Sequence, residues 1–243
     1  MERGHHGVTT FVAEARIVSG DITLGESAAH HAHVRRLGVG DRVAITDGRG
    51  SRGTGQISML SKTQIVATVR EVVTVTPPAA IHLFLPVADR DRMLWLAEKA
   101  AELQVASWNP VMFRRSMSVS PRGDGEAFER KVRVRMAQAV EQSGGAWLPT
   151  IEAARDVAAL PARTGDTSFL LNHGGPTLGG GRVQAPVSLI IGPEGGFEAD
   201  ELAALQGTGW TIASLGDVTL RFETAAVAAV AIARALLTPE RGG

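Results

Sequence analysis

Two glycine-containing segments near the C-terminus bring together residue types that can bind a ligand and stabilise charge. They read Ile191-Gly-Pro-Glu-Gly-Gly-Phe197 and Leu215-Gly-Asp-Val-Thr-Leu-Arg-Phe-Glu-Thr-Ala225. Each follows an apolar run that predicts a strand and precedes a stretch that predicts a helix. Because glycine lacks a β-carbon, main-chain N–H and C=O groups can approach a ligand closely at such turns. Placed side by side in one α/β domain, the two turns would line a ligand pocket.

The first turn joins a predicted buried strand to a predicted helix. Val187 to Ile191 is a continuous apolar run with β-branched members, which is typical of a strand covered on both faces. Gly192-Pro193 ends that strand, and Glu198 to Gln206 favours a helix. A phosphate-binding loop is disfavoured because the Gly-Lys-Ser/Thr ending is missing and the Glu194 carboxylate would repel phosphate. An ordinary strand-to-helix connection remains the alternative to a ligand-binding turn.

The second turn adds a guanidinium to the same region. Thr211 to Leu215 predicts a strand, and the alanine-rich stretch from Ala225 to Leu237 predicts a closely packed helix. Between them, Arg221 could hold a carboxylate, a phosphate or a base oxygen on which negative charge develops. The alternative is a structural tie in which Arg221 pairs with Glu223 or Asp217.

Composition describes a globular protein and excludes some kinds of site. The chain has 243 residues, 44% of them hydrophobic, a formal net charge of zero and no cysteine. Disulfides and thiolate metal sites are therefore excluded. Met1 to Thr10 contains no apolar run, so we expect no signal peptide and a cytoplasmic protein. Because phosphate contacts dominate nucleic-acid affinity, RNA binding by such a chain would depend on local basic patches.

The hydrophobic pattern predicts two domains that meet at Pro77-Pro78. In residues 1–77, short alternating runs such as Arg42 to Thr46 lie between glycine-containing turns, which predicts a small antiparallel β-barrel. In residues 78–243, strands alternate with helices, which predicts an α/β domain with a mostly parallel sheet. The further strands predicted for this domain are Ile81 to Val87, Val111 to Phe113 and Phe169 to Asn172, and its further helices are Asp91 to Val105 and Glu126 to Gln142.

The paired turns resemble the S-adenosylmethionine-dependent methyltransferases of the SPOUT superfamily, and within it the RsmE-type methyltransferases of small-subunit ribosomal RNA. Three upstream segments extend the resemblance, namely Ala29-His-His-Ala-His-Val-Arg-Arg-Leu37, Asp91-Arg-Met-Leu-Trp-Leu-Ala-Glu-Lys-Ala-Ala-Glu-Leu103 and Ala139-Val-Glu-Gln-Ser-Gly144. The resemblance implies a PUA-like β-barrel that binds RNA, followed by a SPOUT domain with a C-terminal trefoil knot. It also implies a homodimer.

The implied reaction is methylation at N3 of a uridine (uridine 1498) in 16S ribosomal RNA, with S-adenosylmethionine (SAM) as the methyl donor and no metal. Uridine N3 carries a proton at neutral pH, so a group must accept that proton or stabilise the anion left behind. Arg221 is the candidate to stabilise the oxygen beside N3, and Glu141 or Glu223 is the candidate proton acceptor. Two alternatives remain: a SPOUT enzyme with another target, either a ribose 2′-OH or a transfer RNA base, and a non-catalytic RNA-binding factor for ribosome assembly.

The resemblance assigns most of the cofactor contacts to three segments. The predicted cofactor-binding residues are Leu171, Asn172, His173, Ile191, Gly192, Pro193, Glu194, Gly195, Gly196, Leu215, Gly216, Val218, Leu220, Thr224 and Ala225. The predicted RNA contacts are Arg35, Arg36, Arg90, Arg92, Arg114, Arg115 and Gln142.

The chain departs from the family pattern at three places. Where the family usually has Arg-Ile-Leu-Arg, this chain has Asp217-Val-Thr-Leu-Arg221, so one basic residue of that loop is missing while Arg221 remains. The family's Lys-Gly before Asp-Arg-Met appears as Asp89-Arg90, and Arg90 or Arg92 is the candidate substitute for the lysine. Glu198 stands where the family has Ser or Thr as a helix cap, and a carboxylate there is a weaker cap.

Three histidines near the N-terminus, His30, His31 and His33, allow two interpretations. Their clustering could suggest a metal site, but no carboxylate or cysteine accompanies them at ligand spacing. The start of a helix that faces solvent or RNA is the favoured interpretation.

Overall fold

The computed structural model describes residues 8–116, 120–162, 167–180 and 183–237. The chain divides into two compact units, the first made of Met1–Pro77 with Ala137–Leu148 and the second of Pro78–Met136 with Pro149–Gly243. The predicted domains, residues 1–77 and 78–243, stay a prediction, and the compact units differ from them in Ala137–Leu148. The assignment of Ala137–Leu148 to the first unit was not predicted. This segment begins inside the helix Glu126–Ser143, whose continuous apolar pattern gives no sign of a boundary.

The first unit is built on a five-stranded sheet with the order β1-β3-β4-β5-β2. Neighbouring strands are antiparallel except β1 and β3, which are parallel. Buried apolar side chains from the strands form a core with Phe11, Ile45 and Ile57 among its fully buried members. The strands are β1 (Thr9–Val12), β2 (Gly20–Leu24), β3 (Arg42–Thr46), β4 (Ser51–Leu60) and β5 (Ile65–Thr74), and helix α1 (Glu26–Val34) lies between β2 and β3 in sequence.

The second unit is an α/β fold around a seven-stranded sheet, as predicted. The order is β12-β10-β11-β6-β7-β8, with β9 also paired to β7, and the pairings between these strands are parallel. The strands are β6 (Ile81–Pro86), β7 (Ser107–Met112), β8 (Thr150–Ile151), β9 (Arg155–Asp156), β10 (Thr167–Leu171), β11 (Val187–Ile191) and β12 (Thr211–Ala213). The helices of this unit are α2 (Arg90–Glu102), α4 (Ala199–Gly207) and α5 (Phe222–Leu237), and helix α3 (Glu126–Ser143) begins in this unit and ends in the first.

Several boundaries differ from the predicted ones for identifiable reasons. Strand β7 begins at Ser107 and not at Val111, because Asn109 interrupts the apolar pattern while its amide donates to Leu83 O at 3.1 Å. Strands β10 and β12 end earlier than predicted, which leaves Asn172 and Leu215 in loops.

The central strands place the two glycine-containing turns at one edge of the sheet. Strand β11 is buried along its whole length, with β10 and β6 as its parallel neighbours. Ile190 of β11 packs with Phe84 of β6 in one core cluster. The Phe84 ring lies edge-on to the ring of Trp210, with centroids 5.3 Å apart. Since parallel strands end at the same edge, the loops after β10, β11 and β12 start from neighbouring positions on a rigid base.

Among the residues described, no helix combines the length and the apolar character that crossing a lipid bilayer requires.

Candidate functional site

A cavity of about 290 Å³ lies at the carboxyl ends of β10, β11 and β12. This volume is at the small end of the range for ligand pockets, roughly 300–1,000 Å³. Three loops form its walls, and they follow one after another from neighbouring parallel strands. The lining residues are Leu171, Asn172, His173, Ile191, Gly192, Pro193, Glu194, Gly195, Gly196, Phe197, Ser214, Leu215, Gly216, Val218, Thr219, Leu220, Phe222 and Ala225.

The predicted cofactor residues line this cavity with the exception of Thr224. Helix α5 begins at Phe222, three residues before the predicted start, so Thr224 is already helical and its side chain is exposed. Four lining residues were missed, namely Phe197, Ser214, Thr219 and Phe222. Ser214 follows directly from the early end of β12, and Phe222 from the early start of α5. That these residues hold a cofactor stays a prediction at this point.

Gly192 allows the turn after β11 to pack against an aromatic ring. A β-carbon at this position would lie 2.7 Å from Cε2 of Phe197, far inside normal carbon–carbon contact. The Phe197 ring is itself held edge-on by Phe113, with centroids 5.3 Å apart. A larger residue at position 192 would therefore displace one wall of the cavity.

Two short hydrogen-bonded links fix the loop after β12. The hydroxyl of Ser214 accepts a hydrogen bond from Gly216 N at 3.1 Å and donates to Gly216 O at 3.0 Å. Gly216 has a φ of +128°, a conformation that favours glycine. Thr219 Oγ1 lies 3.2 Å from His173 Nε2, which joins this loop to the loop after β10. The loops after β10 and β12 are thus connected by side chains as well as by the sheet.

A chain of alternating charges runs beside the cavity. Arg92 Nη1 donates to Glu194 Oε1, and Arg221 Nη1 lies 3.5 Å from that same oxygen. Arg92 Nε also lies 4.0 Å from Glu223 Oε1. The partner of Arg221 is therefore Glu194, and not Glu223 or Asp217 as the structural-tie alternative proposed. The side chain of Arg221 is 61% exposed, so its guanidinium is accessible to a ligand.

Glu223 has a buried carboxylate with unused hydrogen-bonding capacity. Its side chain is only 12% exposed. Within the part of the chain that the structure describes, its Oε2 atom has no hydrogen-bond partner. A buried oxygen without a partner is costly. Glu223 is not itself among the residues that line the cavity, although its neighbour Phe222 is, so its role as proton acceptor stays a prediction.

Arg114 and Arg115, which follow β7, bind carboxylates at the beginning of α4. Arg114 N donates to Glu201 Oε1 at 3.0 Å, and the Arg114 guanidinium also pairs with Asp200. Arg115 Nε donates to Glu198 Oε1 at 2.8 Å. This hydrogen bond lowers the pKa of Glu198 from its usual value. RNA contact by either arginine stays a prediction, and each already has an internal partner.

Glu141 lies in the first unit and is not among the residues that line the cavity. Its Oε1 accepts a hydrogen bond from Val12 N at 3.0 Å, and its Oε2 lies 3.4 Å from His31 Nδ1. Burial raises the pKa of Glu141, against the opposing effects of the Val12 hydrogen bond and of His31. These contacts account for a glutamate at this position without a catalytic role, so its assignment as proton acceptor stays a prediction.

The other residues predicted to contact RNA lie at exposed or half-buried positions. Arg35, Arg36 and Gln142 are exposed in the first unit. Arg90 is half-buried at the start of α2, where Asp89 caps the helix by accepting from Arg92 N at 3.0 Å. Across the described ranges, no group of three or more His, Asp or Glu side chains is placed to hold a metal ion. His31 is instead engaged by Glu141, and His33 Nε2 lies 3.1 Å from Ser61 O.

Comparison with known proteins supports the two domain types that were predicted from the sequence. Residues 75–234 match the family described as RNA methyltransferase domain, and residues 24–70 match the RNA methyltransferase PUA domain. Among curated proteins, the ribosomal RNA small subunit methyltransferase E of Synechocystis sp. is 27% identical over 238 residues, covering 93% of this chain and 77% of that protein. The protein of the same name from Mycobacterium bovis is 27% identical over 222 residues, covering 85% of this chain and 82% of that protein.

Solved structures share the fold over nearly the whole chain. A Legionella pneumophila protein, described as a methyltransferase and solved in complex with SAM, is 26% identical with a TM-score of 0.81, covering 93% of this chain and 96% of that one. The ribosomal RNA small subunit methyltransferase E of Neisseria gonorrhoeae, solved with SAM, has a TM-score of 0.84 at 24% identity, covering 95% of this chain and 98% of that one. These findings confirm the predicted PUA-like and α/β architecture and the predicted enzyme class: this chain belongs to the RNA methyltransferase family, with a PUA domain before its methyltransferase domain.

Proposed function

We propose that this protein transfers the methyl group of SAM to N3 of a uridine in 16S ribosomal RNA of the small subunit, the position known in the family as uridine 1498. The observation that carries the proposal is the cavity after β10, β11 and β12, whose walls consist largely of the residues predicted to bind the cofactor. The names of the relatives support a small-subunit ribosomal RNA target, and SAM in the Legionella structure supports the cofactor. Such a substrate places the reaction in the cytoplasm.

The chemistry of the cavity suits SAM. Apolar side chains such as Leu171, Ile191 and Leu220 can pack against the adenine ring, while the glycine turns present main-chain donors and acceptors to polar groups. Gly195 and Gly196 also line the cavity, so their main chain can lie close to the ribose or the amino acid portion. When bound, SAM supplies an electrophilic methyl group on a positively charged sulfur.

The residues beside the cavity can support the other half of the reaction. N3 of the uridine must lose its proton, and the electron pair left on N3 forms the new bond to the methyl carbon as the carbon–sulfur bond breaks. Arg221 can stabilise the negative charge that N3 shares with its neighbouring carbonyl oxygen. Glu223 is our first candidate for the proton acceptor, because its Oε2 is buried without a partner in the described structure. Glu141 is the second candidate.

The trefoil knot and the homodimer are part of the same proposal. In this family the pocket lies near a subunit interface, and a residue that is remote from the pocket in one protomer could then contribute from the partner. Light scattering of the purified protein tests the dimer, with a mass of two chains expected. A mass corresponding to one 25.6 kDa chain would contradict it.

The decisive experiment is methylation of small ribosomal subunits that lack the modification. Subunits are incubated with the protein and SAM, and the modified nucleotide is located by mass spectrometry of RNA fragments. We expect one added methyl group on the base of a single uridine. A methyl group on a ribose or on transfer RNA would indicate the alternative target class. Absence of SAM binding by calorimetry would favour the non-catalytic assembly factor.

A further inference from the structure

Four arginines beside the cavity are already paired with carboxylates of the same unit. They are Arg92, Arg114, Arg115 and Arg221. Their partners Glu194, Glu198, Asp200 and Glu201 belong to one short segment, and Arg92 Nε also lies 4.0 Å from Glu223 Oε1. The net charge of the chain is zero, although phosphate contacts dominate RNA affinity. RNA that reaches these arginines must therefore compete with an internal carboxylate.

The ion pairs made by Arg114 and Arg115 stabilise the start of α4. Glu201 is 4% exposed and accepts from two main-chain groups, Arg114 N at 3.0 Å and Glu198 N at 2.9 Å. Arg115 donates to the main-chain oxygen of Gly195 as well as to Glu198. Displacing the Arg115 guanidinium would remove a donor from the main-chain oxygen of Gly195, and displacing the Arg114 guanidinium would leave the buried Glu201 carboxylate without its cation, and both changes are costly. RNA is not expected to displace them.

Glu194 differs in each of these respects. Its side chain is 53% exposed, and its hydrogen-bond and ion-pair partners in the described structure are the side chains of Arg92 and Arg221. Both guanidiniums approach the same atom, Oε1, and neither contact involves the main chain of Glu194. An exposed ion pair contributes little to stability, so an incoming anion can replace this carboxylate without breaking a backbone hydrogen bond.

We propose that Glu194 is a specificity-determining residue that occupies Arg92 and Arg221 until a backbone phosphate of the RNA substrate takes its place. The inference rests on the proposed function for its ligand, RNA. The internal carboxylate weakens binding of any RNA that fails to engage both arginines, because such an RNA must displace Glu194 without full compensation. An RNA that fits the site replaces one anion by another, and the Arg221 guanidinium, which has further N–H donors, can also face the base.

The test compares two substitutions that remove the same negative charge. Glu194→Gln keeps the size of the side chain but not its charge. Asp217→Asn is the matched control, because Asp217 is exposed on the loop that carries Arg221 and has no ion pair among the described residues. Binding of a fluorescent single-stranded RNA with the sequence around the target uridine is measured by anisotropy, without cofactor, over a series of salt concentrations.

We expect Glu194→Gln to bind this RNA about three- to tenfold more tightly than the unmodified protein, and Asp217→Asn to bind within about twofold of it. The slope of log K against log salt should change little in Glu194→Gln, since the same phosphates are neutralised in both proteins once Glu194 has been displaced. In an Arg92→Ala/Arg221→Ala background, Glu194→Gln should bring no gain.

Three results would overturn the proposal. They are equal effects of Glu194→Gln and Asp217→Asn, a gain that persists without the two arginines, and no binding of the RNA by either the unmodified protein or Glu194→Gln. Circular dichroism checks that each variant is folded. The proposed function is judged separately by methylation of small subunits with the unmodified protein. A protein that methylates the uridine but shows no gain from Glu194→Gln would refute only the role of Glu194.

Discussion

Replacing Gly192 with alanine tests how closely the turn after β11 packs against Phe197. The added β-carbon would lie 2.7 Å from Cε2 and 2.9 Å from Cζ of the ring. Normal carbon–carbon contact is about 3.5–4.0 Å, so the ring or the turn must move by roughly 1 Å. Phe113 stands edge-on to the ring, which limits movement away from the turn. We expect a loss of about 1–3 kcal/mol in the free energy of unfolding, as for other overpacked sites.

The same movement should weaken cofactor binding, because Gly192 and Phe197 both line the cavity. We expect SAM affinity to fall about tenfold, equivalent to about 1.4 kcal/mol. Denaturant unfolding and calorimetry measure the two effects. Gly207→Ala is the matched control, since Gly207 is exposed at the end of α4 and a β-carbon there meets nothing within 4 Å. It should leave stability unchanged or raise it slightly.

A double-mutant cycle identifies the clash as the cause. Phe197→Leu removes the ring atoms that a β-carbon at position 192 would meet, so Gly192→Ala should be less harmful in that background. We expect a coupling energy of about 0.5–3 kcal/mol. The reasoning would be refuted if Gly192→Ala were as stable as Gly207→Ala, or if its cost were the same with and without the Phe197 ring.

Three further substitutions test the site and its support. Arg221→Ala should lower the rate of methyl transfer about 10²–10³-fold while changing SAM affinity far less, and an equal loss of both would assign Arg221 to cofactor binding. Arg234→Ala removes donors to Ala79 O at 2.6 Å and Gln104 O at 2.7 Å, so denaturant unfolding should show a loss of about 1.5–3 kcal/mol. Glu141→Gln keeps an acceptor for Val12 N but does not ionise. Because burial raises the pKa of Glu141 above 4.5, the native state binds its proton more tightly, and the unmodified protein should lose stability relative to Glu141→Gln as pH rises above about 4.5.

The Glu141 variant also separates two roles. If Glu141 is only structural, Glu141→Gln should retain methyl transfer. If Glu141 is the proton acceptor, the substitution should lower kcat greatly and leave SAM affinity unchanged. A flat difference in stability across the pH series would contradict the effect of burial. For Arg234→Ala, a stability equal to that of the unmodified protein would show that water replaces the guanidinium without cost.

Apolar patterns predicted the bounds of a strand correctly where its residues are uniformly apolar or alternate regularly. Strand β11 and strand β3 have the predicted bounds, because uninterrupted apolar or alternating runs leave little choice of structure. Strand β7 was predicted too short, since Ser107 and Asn109 are polar residues whose hydrogen-bond partners, His82 and Leu83, lie on β6. Such partners are distant in sequence and leave no periodic signal.

The sequence also determined most of the candidate cavity. The two glycine-containing turns follow strands, and parallel strands end at a common edge, so a shared pocket could be predicted. That β10 lies between β11 and β12 in the sheet was decided by the tertiary structure. Phe197 and Phe222 were not recognised as lining residues, because an aromatic side chain at a helix start is equally suited to a core position. Only the packing of Gly192 against the Phe197 ring shows why glycine is needed there.

The partners of the charged side chains were decided by tertiary structure alone. Charge in the sequence identified Arg221 as a reactive candidate, but its neighbour Glu194 comes from another loop, and Arg92, which shares that carboxylate, comes from α2. Glu141 likewise belongs to a family motif, while its hydrogen bond to Val12 joins residues that are far apart in the chain. Apolar periodicity is a local property and is readable from sequence, whereas an ion pair depends on distances of a few ångströms that only the folded chain sets.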